Sequence, residues 1–559
     1  MEPSVPITGC GIICSIGNDT SEVLDSLRKG ESGIRPMKYL RTVHSDIPVG
    51  EVQLSNTQMK ALLGLGEDTP PISRTSLMGA IAVRQAIRDA GLSGLEGKRV
   101  VLISGTTVGL MDISEHGSDL SSGNECGACT TEIARLAGLG EARVCTVSTA
   151  CSAALNAIIL GAGMLKRDEA DIVIAGGSES LSRFHLNGFN SLMILDREKC
   201  RPFDDTRAGL NLGEGAAFVV MEKGKKEGLA HIRGYGNRCD AFHQTATSEN
   251  GEGASLAMEE ALGMSGLSPD DIQYVNAHGT GTRDNDLSES RALQRVFTGR
   301  MPEVSSTKAF TGHTTSASGS IETVICILAM RNGFTPANLG WKNPIEGGII
   351  PTAGHSGITL HNVMCNSFGF GGNDSSLVIS DTRAESAALP DSDRACRTVA
   401  DETVSSEEEL PALREFISPM ESRRMGKLMK AAFLASLRAL GKAGISCPDA
   451  IISATSRGML ESSQLFLKEI NSNGEEMLKP TLFMQSTHNT IGSAIAIRTG
   501  CHGYNITYSQ SDESSFWALR DAERLIRTGK AGTVLVCSFD ETAVPSPGVY
   551  ARCLILAAN

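Results

Sequence analysis

Cys151 stands where a short apolar run gives way to a helix-forming stretch of small residues, in VSTACSAAL. A cysteine at such a junction meets unpaired backbone N–H groups and the positive end of a helix dipole, both of which favour its thiolate. The same N–H groups can hold a developing oxyanion. His278 closes a strand in NAHGTGTRDND, where glycines allow close backbone approach and Thr280 and Thr282 offer hydroxyls. SSTKAFTGHTTSASGSIE carries Lys308, His313 and Glu322, and NSFGFGGNDSSLV sets Phe368 and Phe370 among glycines. Cys151, His278 and His313 are separated by 127 and 35 residues, without the short paired spacing of most zinc sites, and no metal is expected. The glycine-rich GEGAA and GFGG lack the GxxxxGK[ST] pattern that cradles nucleotide phosphates.

Placing such groups falls to buried strands. VVLIS (Val100–Ser104), VCTVS (Val144–Ser148) and DIVIAGG (Asp171–Gly177) read as strands separated by helical segments, which predicts parallel pairing in a layered α/β fold. DIQYVNAHGT, ITLHNVMCNSFG and SSLVISD repeat the theme, and the polar or glycine-rich clusters fall at strand ends, where such sheets build sites. The chain has 559 residues, enough for about three or four structural units. With 51 Lys+Arg against 64 Asp+Glu its net charge is −13, which argues against a nucleic-acid footprint. Met1–Thr8 has no signal-peptide pattern, and the apolar stretch Ala153–Leu165 is too short to cross a bilayer of about 30 Å. Fifteen scattered cysteines, with Cys126 and Cys129 as a lone CxxC, fit reduced thiols in a cytoplasmic core.

An internal repeat accounts for the remaining length. Val147–Ser180 aligns without a gap on Tyr508–Glu541 at an offset of 361, and Arg424–Ile445 matches Ser73–Leu92. Asp512 occupies the place of Cys151, and the second copy has no HGTGT or GFGG partner, so it is expected to be catalytically inert. The acidic, small-residue stretch Arg383–Pro411 reads as a linker.

On these motifs, together with ITGCGIICSIGN (Ile7–Asn18) and RPFDDTRAGLNLGEGAA (Arg201–Ala217), residues 5–381 resemble the elongating β-ketoacyl-acyl carrier protein synthases of the thiolase superfamily. The resemblance implies a thiolase-like α-β-α-β-α fold of two pseudo-repeated halves, residues 1–240 and 241–382. A linker over 383–411 and a degenerate third half-copy over 412–559 would follow. It further implies that Cys151 is the acyl-accepting nucleophile and that His278 and His313 are the decarboxylation pair. Lys308 and Glu322 would be the ion pair ordering the histidine loop, and the N–H groups of Cys151 and Phe370 the oxyanion hole. Phe370 would be the gate, with Thr280, Thr282, Phe203 and Phe368 contacting substrate. Thiolases resemble Cys-His-Cys and initiating synthases Cys-His-Asn, so two histidines favour decarboxylative elongation. Where the family usually reads GGTN after the gate, this chain has Gly372, Asn373 and Asp374, which puts substrate preference in doubt.

The implied partner is an acyl carrier protein, which would bring its own 4′-phosphopantetheine; no cofactor is expected on this chain. Carrier proteins are acidic, and Arg74 and Arg207 are the docking candidates by family position. A homodimer is implied, and a second synthase-like subunit is a further candidate partner. The tail resembles short proteins of aryl-polyene and flexirubin-type pigment pathways, so polyene as well as fatty-acid synthesis is in view. The alternative is a non-catalytic subunit that binds carrier protein and sets chain length. The third half-copy is expected to pack on the synthase or to recruit another subunit.

Overall fold

The computed structural model describes residues 2–66, 68–116, 125–386, 394–542 and 548–559. Fifteen strands join one continuous sheet, and they fall into three groups of five. The first group is β1 (Val5–Cys14), β2 (Val100–Gly105), β3 (Arg143–Val147), β4 (Ile172–Glu179) and β5 (Gly215–Glu222). The second is β6 (Ala230–Cys239), β7 (Tyr274–Asn276), β8 (Glu303–Ser305), β9 (Asn362–Gly369) and β10 (Asn373–Ser380). The third is β11 (Cys396–Val404), β12 (Ala450–Ala454), β13 (Tyr504–Tyr508), β14 (Thr533–Thr542) and β15 (Gly548–Ala558). Each group runs in the same spatial order, 1-5-4-2-3, 6-10-9-7-8 and 11-15-14-12-13. The expected parallel pairing holds for β2 with β3 and with β4.

Helices supply the layers. On the first group, α1 (Arg74–Asp89) and α2 (Cys126–Ala137) form an outer layer. The buried α3 (Ala153–Lys166) follows Cys151, and α4 (Arg283–Val296) follows His278. α5 (Ser318–Asn332) packs against α3, and the two helices lie between the sheets of the first and second groups. Both are apolar all round, as a helix covered on every side must be. Their contact is close because position 319 is glycine; a Cβ there would meet that of Leu155 at 2.6 Å. In the third group, α6 (Lys427–Ala443), α7 (Thr490–Thr499) and α8 (Ser514–Arg527) repeat the pattern.

The sequence repeat is reproduced element by element. β3, the turn at Ala150–Ser152, α3 and the start of β4 recur 361 residues later as β13, the turn at Ser511–Glu513, α8 and β14. Even the backbone strain recurs: Ala150 has φ 50° and Ser511 φ 43°. The copies meet at equivalent positions. β3 and β13 pair antiparallel at Val147 and Tyr508. Ser148 N–H donates to Thr507 O at 2.9 Å, and Ser509 N–H donates to Thr146 O at 3.0 Å. Under the 361 offset the Val147–Tyr508 pair is its own image and the two hydrogen bonds are images of each other, which is the signature of a local two-fold axis between the copies. Val147, Tyr508 and Trp517 belong to one buried apolar cluster with α3 and α5, so the third group shares the core of the first two.

One boundary needs correction. Within the expected linker, Cys396–Val404 is strand β11, paired along β15, and Glu407–Glu415 is a 3-10 helix; residues 387–393 lie outside the described residues. β11 is an edge strand whose side chains are mostly solvent-facing, with Ala400 and Val404 buried, so its composition is that of a linker.

Candidate active site

Cys151 sits in the one-turn 3-10 segment Ala150–Ser152 between β3 and α3. The left-handed Ala150 makes the turn sharp enough to aim the thiol out of the sheet. The second half builds the same device: Thr315, with φ 46°, opens the turn Thr315–Ala317 that leads into α5. His313 lies just before that turn and His278 just after β7. The three side chains converge, with their potential ligand atoms within 4.8 Å of one another. His313 Nε2 is 3.2 Å from Cys151 Sγ, and its Nδ1 is 3.0 Å from Ser318 Oγ. The His278 and His313 rings meet edge-on at 5.3 Å. Below them, Lys308 Nζ donates to Glu322 Oε1 at 2.5 Å, both residues buried.

The electrostatics differ from the expectation for a helix amino terminus. Burial pushes the Cys151 thiol up to about 11, although Lys308 and the backbone N–H groups of Phe370 and Cys151 pull the other way. Desolvation outweighs the dipole, and the thiol is neutral at rest. Burial, then the nearby Lys308 ammonium, hold both histidines well below the usual imidazole range, so both are neutral.

These groups open into a cavity of about 460 Å³ also lined by Thr280, Thr282, Phe368 and Phe370. Thr280 and Thr282 share a hydrogen bond at 2.8 Å. Phe368 lies 5.8 Å from the His278 ring. Three expected residues fall elsewhere. Phe203 is fully buried in the core beneath the His278 loop, where a Cβ on Gly279 would meet its ring, and it does not line the cavity. Arg74 is 7% exposed and spends its guanidinium on Glu214, Val52 O, Leu54 O and Asn56. Arg207 is 6% exposed and donates to the carbonyls of Asp204, Thr282 and Arg283. Both arginines brace loops from inside and cannot form a docking patch.

Three buried carboxylates complete the site without having stood out in the sequence. Glu289 on α4 accepts from the N–H groups of His278 and Gly279 at 2.8 and 2.7 Å. Asp286, one turn earlier, accepts from Gly281 and Phe203 N–H. Glu179, ending β4, accepts from Thr107 N–H, Thr106 Oγ1 and Ser316 Oγ. The one available signal was the acidic run after HGTGT, which reads as an ordinary helix start.

The beta-ketoacyl synthase N-terminal domain family matches residues 2–227, and the beta-ketoacyl synthase C-terminal domain family matches residues 229–342. The chain belongs to the beta-ketoacyl synthase family. A further N-terminal domain family of beta-ketoacyl synthases matches residues 397–554, the third group of strands. The synthase is 34% identical over 411 residues to 3-oxoacyl-[acyl-carrier-protein] synthase 2 of Coxiella burnetii, covering 67% of this chain and 98% of that protein. Among solved structures, the ishigamide ketosynthase/chain length factor is 28% identical with TM-score 0.62, covering 68% of this chain and 99% of its own. The PfaC keto synthase-chain length factor has the same fold over the whole of this chain and 78% of its own, with TM-score 0.77 at 17% identity. At the turn equivalent to Cys151 the third group presents an exposed Asp512. Among the described residues no helix is long and apolar enough to cross a membrane.

Proposed function

We propose that the synthase carries out decarboxylative condensation, moving an acyl chain from an acyl carrier protein onto Cys151 and then joining it to malonyl-carrier. The observation that carries this reading is the buried Cys151 thiol 3.2 Å from a neutral His313 imidazole, with His278 beside it. In the first half-reaction His313 Nε2 takes the thiol proton as sulfur attacks the acyl thioester, and the proton leaves with the carrier thiol. In the second, malonyl loses carbon dioxide and the C–C electron pair becomes an enolate. Imidazole N–H groups of His278 and His313 donate to its oxygen. The enolate carbon attacks the acyl carbon and the Cys151 thiolate departs. His313 must accept at Nε2 in one step and donate there in the other. The Ser318 hydroxyl at Nδ1 can donate or accept, and so serves both tautomers.

In this reading the pantetheine arm enters past Thr280 and Thr282. With Arg74 and Arg207 buried, the exposed Arg283 at the cavity mouth becomes the basic group nearest an arriving carrier. The tail resemblance supports a polyene or polyketide-type product over ordinary fatty-acid extension. The test supplies malonyl-carrier with saturated or polyenoyl carrier-bound primers and compares wild type with Cys151→Ala. β-Ketoacyl product is expected from wild type and none from the variant, with polyenoyl primers preferred. Wild type that forms no such product with any primer would leave only the non-catalytic, carrier-binding alternative.

A further inference from the structure

Far along α3 from Cys151, positive charge collects at the seam between the first and third groups. Arg167 caps the carboxyl end of α3, and Arg524 on α8 reaches the same place from the third group. Under the 361 offset Arg524 is the image of Gly163, so the first copy has no side chain where the third carries a guanidinium. That difference makes room for both arginines. The point where a Cβ of Gly163 would stand lies 2.9 Å from Arg167 Nη1 and 3.6 Å from Arg524 Nη1. Two guanidinium groups thus flank one short piece of backbone, their side chains only 15% and 12% exposed.

The carboxylates nearby do not balance them. Glu169 accepts from Arg167 Nε at 2.6 Å and also lies 3.4 Å from Arg520, while Asp521 pairs with Arg524. Three arginines share two carboxylates, which leaves one positive charge over. Burial, then the facing Arg524, hold the Arg167 guanidinium below its usual range. Donors are in surplus as well as charge. Arg167 Nη1 and Arg524 Nε have no acceptor, and neither has the Nε1–H of Trp517, a side chain 3% exposed. All three residues line one space of about 20 Å³. Buried N–H groups left without an acceptor are costly, most of all when charged.

We propose that this space binds one monovalent anion of chloride size, held between Arg167 and Arg524, and that the ion joins the third copy to the first. A single negative charge offsets the surplus and gives the guanidinium and indole N–H groups an acceptor in common. The volume admits one water-sized ion and excludes bulky polyatomic anions.

The test uses the full-length protein. Calorimetric midpoints in sodium chloride are compared with those in sodium gluconate at equal ionic strength, gluconate being too large for the space. Wild type is expected to gain about 1–2 °C in chloride, with a dependence on concentration that saturates. Arg167→Met, which removes Nη1 and keeps an unbranched apolar stem, should show no such gain. Crystals grown in sodium bromide should give an anomalous peak between Arg167 and Arg524. That measurement needs no variant and decides the matter if Arg167→Met does not fold. A gain that persists in folded Arg167→Met is a general salt effect and overturns the proposal, as does the absence of a bromide peak at the seam. A peak without a chloride-specific gain marks an adventitious ion only, and the proposal fails.

Discussion

Cys151 pairs a deeply buried, neutral thiol with a neutral imidazole, an arrangement that stores no charge in an apolar site until substrate arrives. The thiol pushed up to about 11 has a measurable consequence. Thiolate is the form that reacts, and for a raised acid its population keeps growing with pH up to that value. The alkylation rate at Cys151 is therefore expected to climb through pH 9 and still be rising at 11, whereas that of a small thiol with a pKa of about 8.5 levels earlier. Rate against pH, with Cys151→Ala identifying the site, checks this; a plateau near pH 8 would contradict the burial argument. The Lys308–Glu322 pair is buried on both sides. Glu322→Leu strands the ammonium and is expected to cost about 3–5 kcal/mol in denaturant unfolding, while the double variant with Lys308→Met recovers much of that loss.

Elements carry the next level of specification, and here the copies touch backbone to backbone. Gly127 in α2 faces the turn opening α8; a Cβ there would sit 2.9 Å from Gln510 Cα and Ser511 N. In an isolated helix Gly→Ala would stabilise by up to about 1 kcal/mol. Here the clash reverses the sign, and Gly127→Ala is expected to lose about 1–3 kcal/mol, read as a lower calorimetric midpoint. A raised midpoint would mean the two groups of strands are not in contact at that turn. Much of this level was legible beforehand. The 361-residue offset placed a strand, turn, helix and strand in the tail, and the motifs converging on Cys151 are those that sequence order and chemistry single out. What the sequence hid has common physical causes. β11 is an exposed edge strand and looks like a linker. Arg74 and Arg207 look like surface cations because charge does not reveal burial, and only the fold shows each guanidinium saturated by carbonyls and a carboxylate. Glu289 and Asp286 act through backbone N–H groups, which no side-chain pattern announces.

At the scale of the whole molecule, the offset predicts a second copy but says nothing of how the copies face each other. In the structure the edge of β3 is closed by its own image, β13, through hydrogen bonds exchanged between equivalent residues. That edge is therefore already filled from within the chain, and a second molecule finds no open β3 strand to pair with. Removing the third group uncovers the Thr146 carbonyl and Ser148 N–H at the β3 edge. It also bares the faces of Phe184 and Phe189 on which Phe483 packs. An open edge beside aromatic surface seeks a strand. Because β13 is a copy of β3, a second molecule's β3 has the right shape to take its place. A chain ending at residue 386 is accordingly expected to dimerise or precipitate where full-length protein stays monodisperse, as read by sedimentation velocity at matched concentration. A truncated chain that remains soluble, unchanged in association state and fully active would show that the third copy neither caps the sheet nor shapes the site.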